Sequence, residues 1–61
     1  MTIASQIKRA RTAAGLTQRA VADALGMTSQ SVSDWERGSS EPQSETLQRL
    51  AKILKTQFTI G

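Results

Sequence analysis

A chain of 61 residues is long enough for one domain, here predicted to span residues 1–61. It contains neither cysteine nor histidine, so it can form no disulfide and is not expected to hold a structural zinc ion. The formal net charge is +3, from eight Lys and Arg against five Asp and Glu, which favours a polyanionic partner. The scattered carboxylates, with no His, Cys or Tyr, argue against an enzyme, and neither a cofactor nor a metal is expected.

Neither membrane insertion nor export is expected. The sequence has no apolar run of roughly 18 residues, the length that a membrane span needs. Its first residues, MTIASQIK, lack the basic-then-apolar order of a signal peptide. These features predict a soluble, cytoplasmic protein.

The first predicted helix starts near Ile3, because Ile3, Ile7, Ala10 and Ala14 recur at helical spacing and so share one face. Gly15 follows at a position typical of a helix end.

The second helix is predicted over residues 18–25. Thr17 is a good N-cap, and Val21, Ala22 and Leu25 would face inward. Gly26 would end the helix in the left-handed conformation, and Met27 would fill the corner that follows.

The third helix is predicted over residues 29–37, after an N-cap at Thr28 and before a stop at Gly38. Val32 and Trp35 would form its buried stripe, so Trp35 is expected in the core rather than stacked on a base. The opposite side would carry small polar side chains, which suits a surface that binds DNA.

A loop over residues 39–43 contains the only proline. Ser44 is predicted to cap a fourth helix, whose apolar stripe would comprise Leu47, Leu50, Ala51 and Leu54. The tail differs, because residues 58–60 favour a strand. Phe58 and Ile60 would point to the same side with nothing obvious to cover. We expect them to mediate self-association. The alternative is a flexible C-terminus without a partner.

Two helices that cross through a short turn need a small residue at their contact and a residue that tolerates positive φ. Ala22 and Gly26 meet these needs. Residues 15–26, GLTQRAVADALG, and 31–38, SVSDWERG, resemble the lambda-repressor-like (Cro/C1-type, XRE) helix-turn-helix family, and the resemblance covers residues 3–54. It implies an all-α DNA-binding domain of four to five short helices, with the helix-turn-helix at about 18–37. A short C-terminal strand remains possible.

The resemblance also implies roles for particular side chains in DNA binding. Gln30 is the best candidate for base readout, since its amide can donate and accept at adenine N6/N7. Asp34 can accept from cytosine N4 or only repel phosphate, and both readings stay open. The expected base readers are Ser29, Gln30, Ser33 and Asp34, and the expected backbone contacts are Gln18, Arg19, Thr28, Ser31, Arg37, Ser39, Ser40, Gln43 and Arg11.

A second implication concerns Arg11 and Glu36. Relatives often pair an arginine of the first helix with the glutamate of this Trp-Glu-x-Gly turn, which would present the guanidinium to a phosphate. Gln18 would brace the third helix in the same region.

The expected function is that of a transcriptional regulator. The simplest form is a phage or prophage Cro-like repressor, bound as a homodimer to a (pseudo)palindromic double-stranded DNA operator. The alternatives are an antitoxin-type autorepressor that also binds a toxin, and a protein-interaction module on the same fold that does not bind DNA.

Overall fold

The computed structural model describes residues 2–58 as four α-helices, without a strand in that range. The helices are α1 (Ile3–Ala13), α2 (Gln18–Leu25), α3 (Ser29–Arg37) and α4 (Ser44–Leu54). The predicted all-α class and the helix-turn-helix at 18–37 are confirmed. No helix among the described residues is long and apolar enough to span a membrane.

Threonine side chains start three of these helices. The hydroxyls of Thr2, Thr17 and Thr28 accept from backbone amides in the first turns of α1, α2 and α3 at 3.1, 3.0 and 3.3 Å. These amides have no partner within the helix, so each hydroxyl satisfies a group that would otherwise need water.

The start of α4 differs from the prediction. Gln43 holds the N-cap position with extended backbone and makes no side-chain capping bond. Its carbonyl accepts from the Leu47 amide at 2.8 Å. This bond places Ser44 inside the first turn, so Ser44 is not the cap.

One core joins all four helices. It was predicted from helical spacing, because each helix carries its buried residues on one face. The buried members lie on α1 (Ile7), α2 (Val21, Ala22, Leu25), α3 (Val32, Trp35) and α4 (Leu50, Leu54).

Two residues expected to face inward are exposed. Met27 was expected to fill the corner between α2 and α3, but it is 39% exposed. The backbone closes this corner instead: Gly26 adopts φ 71°, and the Met27 amide donates to the Ala22 carbonyl at 2.9 Å. Ala14, the C-cap residue that follows α1, is also exposed.

The tail folds back onto the domain. Lys55 ends α4 in a left-handed conformation, and Phe58 is half-buried against the core. Phe58 borders surface depressions lined by Ala10 of α1 and Leu47 of α4. The expectation that Phe58 has nothing to cover is therefore wrong. Phe58 is not in a strand, and Ile60, with the rest of the expected strand, lies outside the described residues.

Candidate nucleic-acid interface

The two sides of α3 differ in chemistry. Val32 and Trp35 are 0% and 5% exposed and belong to the core, which gives Trp35 the packing role expected of it. The four expected base readers recur at helical spacing on the other side, where the first two are exposed and the last two half-buried: Ser29, Gln30, Ser33 and Asp34. We call this surface the α3 polar face.

The two hydroxyls at the start of α3 are engaged locally. Thr28 Oγ1 and Ser31 Oγ lie 3.2 Å apart, and Thr28 Oγ1 also accepts from the Ser31 amide. A hydroxyl both donates and accepts, so each keeps capacity for a further partner.

A polar cluster behind α3 ties three helices together. Arg11 of α1 donates to the Glu36 carboxylate through Nε at 2.6 Å and Nη2 at 3.1 Å, as expected from the resemblance. Gln18 of α2 donates to the same carboxylate through Nε2 at 3.1 Å, which is the expected brace on α3. Arg11 also donates to the Leu16 carbonyl at 2.9 Å. The cluster therefore fixes where α3 lies relative to α1 and α2.

The Glu36 carboxylate is ionised within this cluster. Burial raises the pKa of Glu36, but hydrogen bonds from Arg11 and Gln18, together with the charges of Arg11 and Lys8, outweigh that effect and leave the pKa below its usual value. The carboxylate therefore stays a pure acceptor for both donors at neutral pH.

Asp34 organises part of the α3 polar face. Its Oδ1 accepts from Gln30 Nε2 at 2.9 Å and from Arg37 Nη2 at 2.5 Å. The Arg37 hydrogen bond first, then the Gln30 bond, holds the pKa of Asp34 below its usual value. The sequence interpretation overlooked this contact, although the i, i+3 and i, i+4 spacings within one helix were a sufficient signal.

Apart from Thr28 and Ser31, the expected phosphate contacts fall into two groups. One is exposed and comprises Arg19 on α2, Arg37 at the end of α3, and Ser39, Ser40 and Gln43 in the following loop. In the other group, Arg11 and Gln18, the side chains already make hydrogen bonds within the protein. The Arg11 side chain is only 14% exposed, and Gln18 is half-buried.

The sequence is similar to known helix-turn-helix regulators. A helix-turn-helix family model matches residues 7–60. The chain is 44% identical over 59 residues to the HTH-type transcriptional regulator DicA of Escherichia coli (strain K12), covering 97% of this chain and 44% of DicA. It is 41% identical over 49 residues to the SPbeta prophage-derived uncharacterized HTH-type transcriptional regulator YonR of Bacillus subtilis (strain 168), covering 80% of this chain and 45% of YonR. The chain thus spans less than half the length of either relative.

The fold is similar to that of a phage repressor. The P22 c2 repressor protein, solved in complex with the synthetic operator 9T, superposes with a TM-score of 0.86 at 28% identity. The match covers 93% of this chain and 86% of the repressor chain.

Proposed function

The chain belongs to the Cro/C1-type (XRE) helix-turn-helix family, and from that membership we propose that it is a sequence-specific DNA-binding transcriptional regulator. Its α3 would lie in the major groove of operator DNA. The observation that carries this proposal is the α3 polar face: polar side chains project from a helix whose opposite side is locked into the core by Val32 and Trp35. A rigid helix of this kind can hold side chains against base edges.

Each group of side chains has its own part in the proposed complex. Gln30 reads adenine, and Ser29 and Ser33 contact neighbouring bases through their hydroxyls. Backbone contacts set the position of the domain without reading sequence. The side chains assigned to the DNA backbone are Gln18, Arg19, Thr28, Ser31, Arg37, Ser39, Ser40, Gln43 and Arg11.

The regulator is proposed to act as a Cro-like repressor that binds a pseudopalindromic operator as a homodimer in the cytoplasm, with no catalytic step. The similarity to a repressor solved on its operator and to a prophage-derived regulator supports this role. The domain measures 27 × 23 × 20 Å. Two copies can therefore lie side by side with their α3 helices one DNA turn apart, about 34 Å.

Selection of bound fragments from random DNA tests the proposal. We expect enrichment of a motif with two-fold symmetry. If each of the two copies makes about five phosphate contacts, the affinity of the dimer for that motif should fall about 10⁵-fold between 50 and 200 mM salt. Failure to enrich or shift any fragment at low salt would contradict the proposal and favour a protein-interaction module. Symmetric binding together with tight capture of a second protein would favour an antitoxin-type autorepressor.

A matched pair of variants tests the phosphate contacts. Arg19 and Lys52 are both exposed cations, but only Arg19 lies in the helix-turn-helix. Arg19→Ala should lower the salt slope by about one per bound copy, or about two for the dimer, because each copy releases one fewer counterion on binding. Lys52→Ala should leave the slope unchanged. Equal salt slopes for the two variants would show that Arg19 does not contact a phosphate.

A further inference from the structure

Hydrogen bonds link three polar side chains along the α3 polar face. Gln30 and Arg37 both donate to the same oxygen of Asp34, at 2.9 and 2.5 Å. All three residues come from one helix, at separations of four and three positions, so the helix backbone itself holds them together. The geometry requires no neighbouring element and would persist as α3 enters a groove.

We propose that Asp34 is a positioning residue that makes Gln30 selective for adenine over guanine, rather than a direct reader of bases. This inference rests on the proposed function and assigns a specificity determinant within that site.

The number of N–H donors that Gln30 keeps free decides which purine it can pair with. A glutamine amide has two N–H donors and one acceptor oxygen. Unrestrained, it can turn both N–H groups toward guanine, which presents the two acceptors O6 and N7. It can equally pair its oxygen and one N–H with adenine N6 and N7. Such an amide discriminates weakly between the two purines.

Asp34 removes one of these options. An ionised carboxylate only accepts, so the nitrogen end of the amide must face it. With one N–H committed to Asp34, Gln30 keeps one N–H and Oε1. That remaining pair matches adenine, whereas at guanine Oε1 would oppose an acceptor.

Arg37 keeps the carboxylate in place and offsets its charge. It donates to the oxygen that also holds Gln30, and the low pKa of Asp34 keeps this acceptor ionised at neutral pH. The Arg37 charge also explains how an acidic residue is tolerated on a surface that approaches phosphates.

The test measures dissociation constants for the selected motif and for its single-base-pair variants, using the wild-type protein and three substitutions. At the pair that Gln30 reads, the wild type should prefer A·T over G·C by about tenfold. Asp34→Ala should reduce this preference to about twofold or less. Asp34→Asn, which keeps an acceptor oxygen, should retain most of it. Asp23→Ala removes the same charge from exposed Asp23 on α2 and should change nothing at this pair.

Two results would overturn the inference while leaving the proposed function intact. If Asp34→Ala loses preference at a C·G pair instead, Asp34 reads cytosine directly. If it binds every sequence more tightly by the same factor, Asp34 only repels phosphate. A wild-type protein that binds no DNA would overturn the proposed function and this inference together.

A measurement on the free protein tests the contact separately. In the wild type, the Gln30 side-chain amide protons should show NMR shifts displaced from those of solvent-exposed glutamines. Asp34→Ala should return them to exposed values, and Asp23→Ala should not. Identical Gln30 shifts in the wild type and in Asp34→Ala would overturn the inference whatever the DNA measurements show.

Discussion

Glu36 shows how a single residue connects the fold to the proposed interface. It accepts hydrogen bonds from Arg11 of α1 and Gln18 of α2 while lying near the end of α3. Its side chain is 4% exposed and that of Arg11 is 14% exposed. The desolvation cost of such a pair largely offsets its attraction. Its main effect is therefore to fix the position of α3 rather than to add net stability.

Breaking the pair from one side should be costly. Glu36→Ala or Arg11→Ala should each lower the free energy of unfolding by about 3 kcal/mol, because the remaining charge stays buried without an opposite charge beside it. The double substitution to leucine should cost less than either single change. Urea unfolding followed by the fluorescence of Trp35, the only tryptophan, measures all three variants. Arg37→Ala, which breaks the exposed pair with Asp34, is the control and should change stability little. A double variant less stable than both single variants would contradict this account.

The same residue predicts how stability depends on pH. The pKa of Glu36 is lower in the folded protein than its ordinary value of 4.5. The stability that the folded protein gains from ionising Glu36, relative to protonated Glu36, is therefore fully present above pH 4.5 and is lost as the pH falls through the folded pKa. Asp34, whose pKa is also lowered, acts in the same direction. Unfolding free energy between pH 7 and pH 3 should fall more steeply for the wild type than for Glu36→Gln. Parallel curves would show that Glu36 does not contribute to acid sensitivity.

At the scale of elements, all four helices end in the same backbone arrangement. After each last turn, one residue adopts positive φ, and the following amide donates to a carbonyl five residues back. Glycine holds the positive-φ position after α1, α2 and α3, but Lys55 holds it after α4 with φ 53°. A side chain at this position carries a steric cost that glycine avoids.

Lys55→Gly should therefore stabilise the domain by about 0.5–1 kcal/mol, after allowance for the greater freedom of glycine in the unfolded chain. Thermal unfolding should show a rise in Tm of about 3–5 °C. Lys55→Ala removes the charge but keeps the Cβ atom, so it should give no such rise. If both variants gain equally, the effect comes from the charge and not from the backbone.

For the molecule as a whole, the sequence predicted the structural features that follow from local periodicity and helix capping. Helical spacing identified the buried residues of all four helices, and threonines marked the starts of α2 and α3. The family resemblance supplied the contact between Arg11 and Glu36. Spacing alone could not supply it, since the two residues are 25 positions apart.

The errors concern residues whose environment depends on tertiary structure. Met27 is apolar and adjacent to the core, but backbone bonds already close its corner. Phe58 looked unpartnered because its partners, on α1 and α4, are distant in sequence. The Gln30 to Asp34 contact is the opposite case, because helical spacing alone was enough to predict it.

One side of α3 belongs to the core and the other is proposed to read bases, so a substitution on the outer side should abolish base readout without affecting folding. Thermal unfolding and base-resolved dissociation constants of Gln30→Ala test this expectation most directly. We predict an unchanged Tm, a loss of about 1–3 kcal/mol per half-site on the selected motif, and loss of preference at only one base pair of each half-site. An equal loss of affinity on all sequences, or no loss on any, would show that Gln30 does not read bases.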